Sequence, residues 1–148
     1  DGDLDQIDHK EFTHRWVKNL IDSIDAHLDE ETKIRLMESC GRACARGGPV
    51  HVAKACQGNL DNWLAILRKW HGGEEYVQRD GDIVHVICTE CLCALVKDGP
   101  ASLPDTYCYC SRGWMKEVFE TVVGKPVDVD LIESVKRGGQ MCQFTIQL

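Results

Sequence analysis

The stretch Tyr76-Val-Gln-Arg-Asp-Gly-Asp-Ile-Val-His-Val-Ile-Cys88 decides the fold class. Asp80-Gly81 between two runs of strand-forming residues is the strongest short hairpin signal, because glycine supplies the positive φ that a tight reversal requires. Strands are therefore expected over Tyr76–Arg79 and Asp82–Cys88. The second is apolar on both faces, with Val84, Val86 and Cys88 on one and Ile83, His85 and Ile87 on the other. Such a strand belongs inside a sheet rather than at its edge.

Upstream of Gly73 the period is helical. Phe12, Trp16, Val17, Leu20, Ile21, Ile24 and Leu28 recur at three- and four-residue steps, forming one apolar stripe on a helix from His9 to Leu28. Asp29 caps a second helix over Glu30–Arg46, with Glu30 and Glu31 in its first turn and Gly47-Gly48-Pro49 at its end. A short helix is expected over Val50–Cys56. Asn59 caps a further helix with Leu60, Trp63, Leu64 and Leu67 facing inward, ending at His71-Gly72-Gly73.

Downstream, a proline-containing loop over 97–105 leads into an extended segment Thr106–Cys110. Ser111 opens an amphipathic helix carrying Trp114, Met115, Val118, Phe119 and Val122, which Gly124 and Pro126 stop. Val127, Val129 and Leu131 then alternate with Asp128 and Asp130 as a half-exposed strand, and Asp128, Asp130 and Glu133 read as its solvated face. Gly138-Gly139 turns into a last strand with Cys142, Phe144, Ile146 and Leu148 inward. The fold class is α+β: N-terminal helices packed with a mainly antiparallel sheet and one embedded C-terminal helix. One domain is expected over 1–148, with a helical half at 1–73 and a sheet half at 74–148.

A chain of 148 residues buries roughly 70% of its unfolded surface and needs no covalent staples to fold. The net charge of −7 argues against a nucleic-acid groove, which requires clustered lysine and arginine. No apolar run approaches the ~18 residues of a membrane span. Residues 1–8 are acidic and read as a frayed end, and a start at Asp1 rather than Met implies a leader or tag upstream.

Nine cysteines need another explanation, and eight fall into short-spaced groups or recognisable motifs. Cys40 and Cys44 occupy adjacent turns of one helix face, with Cβ atoms roughly 5–6 Å apart. They either reach one Zn²⁺ or continue the apolar stripe of Ile34 and Met37, and the adjacent Gly41 and Ala45 suggest close approach of another element. Cys88-Thr-Glu-Cys91-Leu-Cys93 has the two-residue spacing with which paired thiolates wrap one ion. A full zinc ribbon needs a second such motif, so the other donors must come from Cys108 and Cys110 or from Cys40 and Cys44. In an extended segment Cys108 and Cys110 face one way, Tyr107 and Tyr109 the other. Cys110 precedes a helix N-terminus with Arg112 two residues on, and both favour a thiolate, making it either a ligand or a nucleophile.

Other candidates read more plainly. His85 and Cys142 read as core residues, His51 and His71 as surface residues near loops, and Cys56 has no partner by spacing. No glycine-rich phosphate loop, nucleophile elbow or His-Glu-X-X-His motif occurs. The odd number of cysteines and the strain of a Cys-X-Cys ring favour thiols in a reducing prokaryotic cytoplasm. An exported domain with three or four disulfides is the alternative.

Cys108-Tyr-Cys110-Ser-Arg-Gly-Trp114, the helix after it, Gly124-Lys-Pro126-Val-Asp-Val129, Glu133-Ser134 and Gly138-Gly139-Gln-Met-Cys142-Gln-Phe144 form one pattern. It resembles the C-terminal half of the vinyl-reductase-type (4VR) small-molecule-binding domains and of proteins grouped with 2-amino-thiazoline-4-carboxylate hydrolases. Cys40-Gly-Arg-Ala-Cys44-Ala and Cys91-Leu-Cys93 are similar to a cysteine-rich branch of that group. The similarity covers about 38–148 and is specific over about 106–148. It implies a compact α+β ligand-binding domain, often a homodimer, in which cysteines near the pocket hold a metal.

The expected function is therefore a sensory or accessory small-molecule-binding domain with a thiolate site for Zn²⁺ or an iron–sulfur cluster. Its ligands are drawn from Cys40, Cys44, Cys88, Cys91, Cys93, Cys108 and Cys110. By family analogy the alternative is a hydrolase opening a thiazoline-like ring or cleaving a C–N bond, through a metal-bound water or through Cys110 as nucleophile. A small-molecule ligand and a homodimer are the expected partners, with neither nucleic acid nor membrane.

Overall fold

The computed structural model describes residues 8–99 and 103–148. The acidic segment ahead of Asp8 and the middle of the loop expected over 97–105 lie outside the described residues.

Four helices come first: α1 (His9–His27), α2 (Glu30–Arg46), α3 (Pro49–Ala55) and α4 (Leu60–His71). Their ends follow local chemistry. The Asp29 carboxylate accepts from the Thr32 N–H, and the Asn59 side chain accepts from the Asn62 N–H, each satisfying a helix-end donor that has no intrahelical partner. Gly72 ends α4 at φ 99°, a conformation other residues rarely adopt.

The sheet follows, with β1 (Val77–Asp80), β2 (Ile83–Cys88), β3 (Asp128–Glu133) and β4 (Cys142–Gln147) in the order β1-β2-β4-β3, every pair antiparallel. The hairpin forms one residue later than the sequence suggests. Asp80 pairs with Ile83, so the turn is Gly81-Asp82, with Gly81 at φ 59° in the first turn position. Strand β2 is internal as expected, but only Val84, Val86 and Cys88 are buried. Ile83, His85 and Ile87 are half-exposed on the other face.

Helix α5 (Tyr109–Val123) is embedded between α2 and the sheet. It begins earlier than expected: Asp105–Cys108 forms a 3-10 turn that runs straight into the helix, so no extended Thr106–Cys110 segment exists. The main core joins Trp63, Leu64 and Leu67 of α4, Val118, Phe119 and Val122 of α5, and Val84, Val86, Phe144 and Ile146 of the sheet. Trp63 meets Phe119 edge-on at 6.2 Å. A second cluster, with Val17, Ile21, Met37, Val96, Leu103, Tyr107 and Cys108, fastens α1 and α2 to the loop after β2. The apolar stripe of α1 is only half used there. Phe12, Trp16 and Leu20 are 49%, 57% and 42% exposed.

Contact between α2 and α5 is unusually close because two glycines meet it from opposite sides. A Cβ on Gly41 would collide with the Cys110 carbonyl, and one on Gly113 would collide with the Glu38 backbone. The close approach expected beside Gly41 is thus that of α5. Ion pairs flank it, with Arg42 to Glu120 at 2.6 Å, Arg46 to Glu117 at 2.7 Å and Lys116 to Glu38 at 3.0 Å.

Candidate thiol-rich site

All nine cysteines are free thiols. Cys56 is buried and isolated from the others, touched by the Asn62 amide at 3.5 Å. The remaining eight come from four separate stretches: Cys91, Cys93, Cys108 and Cys110 pack at the second hydrophobic cluster, Cys88 and Cys142 at the main core, and Cys40 and Cys44 are exposed on α2.

The first group forms around β2 and β4. Cys88, the last residue of β2, stands directly opposite Cys142, the first of β4. The Cys142 thiol donates toward Ser134 Oγ at 4.0 Å, and Ser134 Oγ lies 3.0 Å from Cys108 Sγ. Cys91 lies within electrostatic reach of Cys142 and of the buried Lys136. Burial pushes the Cys88 thiol up to about 12, with Cys142 and Cys91 adding to the shift. Burial also raises Cys108 and Cys91, while the positive charge of Lys136 works in the opposite sense on Cys91.

The second group forms where α2, α5 and the loop after β2 meet. Cys40 and Cys44 are exposed on α2, on either side of Gly41 in sequence, and the Gly41 backbone lies against Cys110. Neither behaves as a core residue of the Ile34–Met37 stripe. Cys93 Sγ is 2.8 Å from the Tyr107 hydroxyl, whose own ionisation is disfavoured first by burial and then by that contact. Burial pushes the Cys110 thiol up to about 12, and Cys93, Cys44, Cys40 and Cys108 reinforce the rise through like-charge repulsion.

The direction at Cys110 reverses the expected one. Cys110 is the second residue of α5 rather than the residue before a helix, and Arg112 turns away to pair with Glu38 at 3.2 Å and to stack over Tyr109. A half-buried thiol without that guanidinium is a poor nucleophile, since the thiolate is the reactive form. It remains a competent ligand, because a bound metal displaces the proton. Among the described residues no three His, Cys, Asp or Glu side chains form a ready-made metal-binding group.

Three further residues belong to the site without a signal from sequence spacing. His71 Nδ1 is 3.6 Å from Cys88 Sγ, Ser134 links Cys108 to Cys142, and Lys136 is buried beside Cys91. Cys142 joins them as a half-buried strand residue. His85 is half-buried with its Nδ1 3.5 Å from Thr145 Oγ1, and His51 is exposed, both away from the thiols. No described helix is long and apolar enough to cross a membrane.

The chain belongs to DUF6144, a family of unknown function whose model matches residues 3–148. No curated protein matches it. Among solved structures it is similar to the crystal structure of the phenol-responsive sensory domain of the transcription activator PoxR with phenol. The two share 15% identity at a TM-score of 0.54, over 94% of this chain and 74% of that one. At that identity the likeness is one of fold.

Proposed function

We propose that this chain is a small-molecule-binding sensory or accessory domain of the 4VR type, stiffened by a cysteine-thiolate metal centre. The observation that supports the metal is that Cys88 stands opposite Cys142 while Cys108 and Cys142 share Ser134 Oγ, which brings sulfur from three stretches of chain to one end of the sheet. Apolar packing alone does not require sulfur from every neighbouring element. The donors are Cys40, Cys44, Cys88, Cys91, Cys93, Cys108 and Cys110, joined by Cys142. An all-sulfur set suits Zn²⁺, and an iron–sulfur cluster is the variant the same donors serve. Four thiolates close a coordination sphere, so the ion would hold elements together rather than activate water. The small-molecule part of the reading is supported by the shared fold with a phenol-responsive sensory domain. A phenol-like aromatic is therefore the first ligand class to try.

A homodimer belongs to the same reading. The exposed Phe12–Trp16–Leu20 stripe of α1 offers a second copy an apolar seam.

Two measurements test the proposal. Elemental analysis and the absorption spectrum of anaerobically purified protein should give stoichiometric zinc without colour, or iron with broad visible absorption. A phenol at 100 times its Kd should stabilise the fold by about 2.7 kcal/mol and raise Tm by roughly 5–10 °C. Protein without stoichiometric metal refutes the metal centre, and an unchanged Tm across simple phenols at saturating concentration removes that ligand class.

A further inference from the structure

Cys88 is the last residue of β2 and Cys142 the first of β4, and the register sets them directly opposite one another. The kind of pair follows from the far end of the same ladder. Just past it the Leu148 N–H donates to the Asp82 carbonyl at 2.9 Å, the bond of a hydrogen-bonded antiparallel pair. Such pairs recur at every second residue, through Val84–Ile146 and Val86–Phe144 to Cys88–Cys142. Their Cα atoms stand ~5.5 Å apart, inside the roughly 4.4–6.8 Å that disulfides span. Directly opposed side chains also leave the sheet on the same face. Cys108 reaches Cys142 only by way of Ser134 Oγ, at 3.0 Å from the first sulfur and 4.0 Å from the second.

We infer that Cys88 and Cys142 form a reversible cross-strand disulfide, which makes this end of the sheet a site of oxidation by low-molecular-weight disulfides. The inference goes beyond the metal reading and needs no bound ion. The free thiols of this structure are the reduced partner of that couple.

Cys142 is half-buried and Cys88 buried, so Cys142 is the thiol a small oxidant reaches first. Its sulfur attacks one sulfur of the small disulfide, that S–S bond breaks, and one small thiol leaves with the Cys142 proton. Cys88 then attacks the Cys142 sulfur of the mixed disulfide, and the second small thiol leaves with the Cys88 proton. The cysteine pair loses two electrons, and the small disulfide is reduced to two thiols. Opposed Cβ atoms lie ~4.5–5.5 Å apart, against roughly 3.5–4.5 Å in a relaxed disulfide, so the strand ends must close by about 1 Å. A bond made under that strain is more easily reduced, which suits a reversible link rather than a permanent staple. It would tie the loop after β2, which carries Cys91, to the turn before β4, which carries Lys136.

The test is a map of linked peptides. The full chain, kept with a chelator so that no ion masks a thiol, is equilibrated at rising ratios of oxidised to reduced glutathione. It is then alkylated and cut without reduction. Cleavage after Glu90 parts Cys88 from Cys91 and Cys93, so mass spectrometry tells the possible partners of Cys142 apart. The expected product is one linked pair, Cys88 with Cys142, with two of the nine thiols lost to alkylation and regained when reduced glutathione is restored. Cys142→Ser should abolish that loss, and the wild-type map decides even if the variant does not fold. Linkage of Cys142 to Cys91 or Cys108 instead overturns the inference. So do mixed disulfides with glutathione alone at the most oxidising ratio, and a link that survives restored reduced glutathione overturns its reversibility.

Discussion

Replacing Gly41 with alanine probes the feature that brings Cys110 to Cys40 and Cys44. In an exposed helix position the change would stabilise by about 1 kcal/mol, the difference in helix propensity. Here the new methyl carbon would lie 2.7 Å from the Cys110 carbonyl carbon and 2.8 Å from the Trp114 nitrogen, with the carbonyl oxygen nearer still. Carbon atoms rest at ~3.5–4.0 Å, so α2 and α5 must part by roughly 1 Å. Overpacking costs about 1–3 kcal/mol, and the upper end applies because the obstacles are backbone atoms of a packed helix rather than a flexible side chain. The propensity gain offsets only part of this. The net loss is about 2 kcal/mol, read as a fall in Tm of roughly 4–8 °C by calorimetry. The reverse substitution at the exposed Ala43 of the same helix should cost about 1 kcal/mol through propensity alone. Opposite changes on one helix should thus both destabilise. The Gly41→Ala protein should also bind Zn²⁺ more weakly, since α2 carries Cys40 and Cys44 away from Cys110. A raised Tm for Gly41→Ala would refute the close backbone contact, and unchanged zinc affinity would refute a part for Cys40 and Cys44 in metal binding.

Two other outcomes are expected. Hydrogen bonds from Arg46 and then Arg42 hold the Glu117 carboxyl below its ordinary value, against the opposing effect of burial. A carboxylate with a depressed folded-state pKa stabilises the fold fully above its unfolded value, about 4.3, and loses that contribution as pH falls through the folded value. Chemical denaturation should therefore show wild type losing more stability than Glu117→Gln between roughly pH 6 and pH 3; parallel curves would assign the Arg42–Glu117–Arg46 cluster no energetic role. Trp16→Glu places a charge in the exposed apolar seam of α1 and should convert a dimer to a monomer in sedimentation velocity, and a monomeric wild type would remove the homodimer from the proposal.

Where one side chain or one residue type controls an element, its position was legible in the sequence. Helix α2 runs from Glu30 to Arg46 as read, because the Asp29 cap and the glycine pair at Gly47 act within a single turn. The order of period changes, helical before Gly73 and alternating after it, likewise gave the α+β class. Errors arose where two local rules compete. In Asp80-Gly81-Asp82 the aspartate before glycine suggested one turn position, but Gly81 takes the first one and shifts the hairpin by a residue. Cys108-Tyr-Cys110 alternates like a strand over too few residues to distinguish it from a helical turn. The tight winding that α5 continues starts at Asp105, directly after Pro104, which is itself still extended at φ −52° and ψ 147°.

That winding matters more for the site than for the fold. In an extended segment Cys108 and Cys110 would project together and demand a common ion. In a helical start successive residues turn by about 100°, so thiols two apart point to different sides. The Cys108 thiol then meets Ser134 at the sheet end, while Cys110 lies with its backbone carbonyl against Gly41 of α2. The partners on the sheet side were hidden for a different reason. Strand β4 inserts between β2 and β3, and only that order sets Cys142 opposite Cys88 and brings Ser134 beneath Cys108. Short-range spacing can announce that a chain is rich in clustered sulfur, but which thiols become neighbours depends on strand order and helix phase. The same argument explains why Cys142, read as core, stands beside Cys88 and Ser134, while Cys56, with an equally apolar setting on α3's end, has only the Asn62 amide for company.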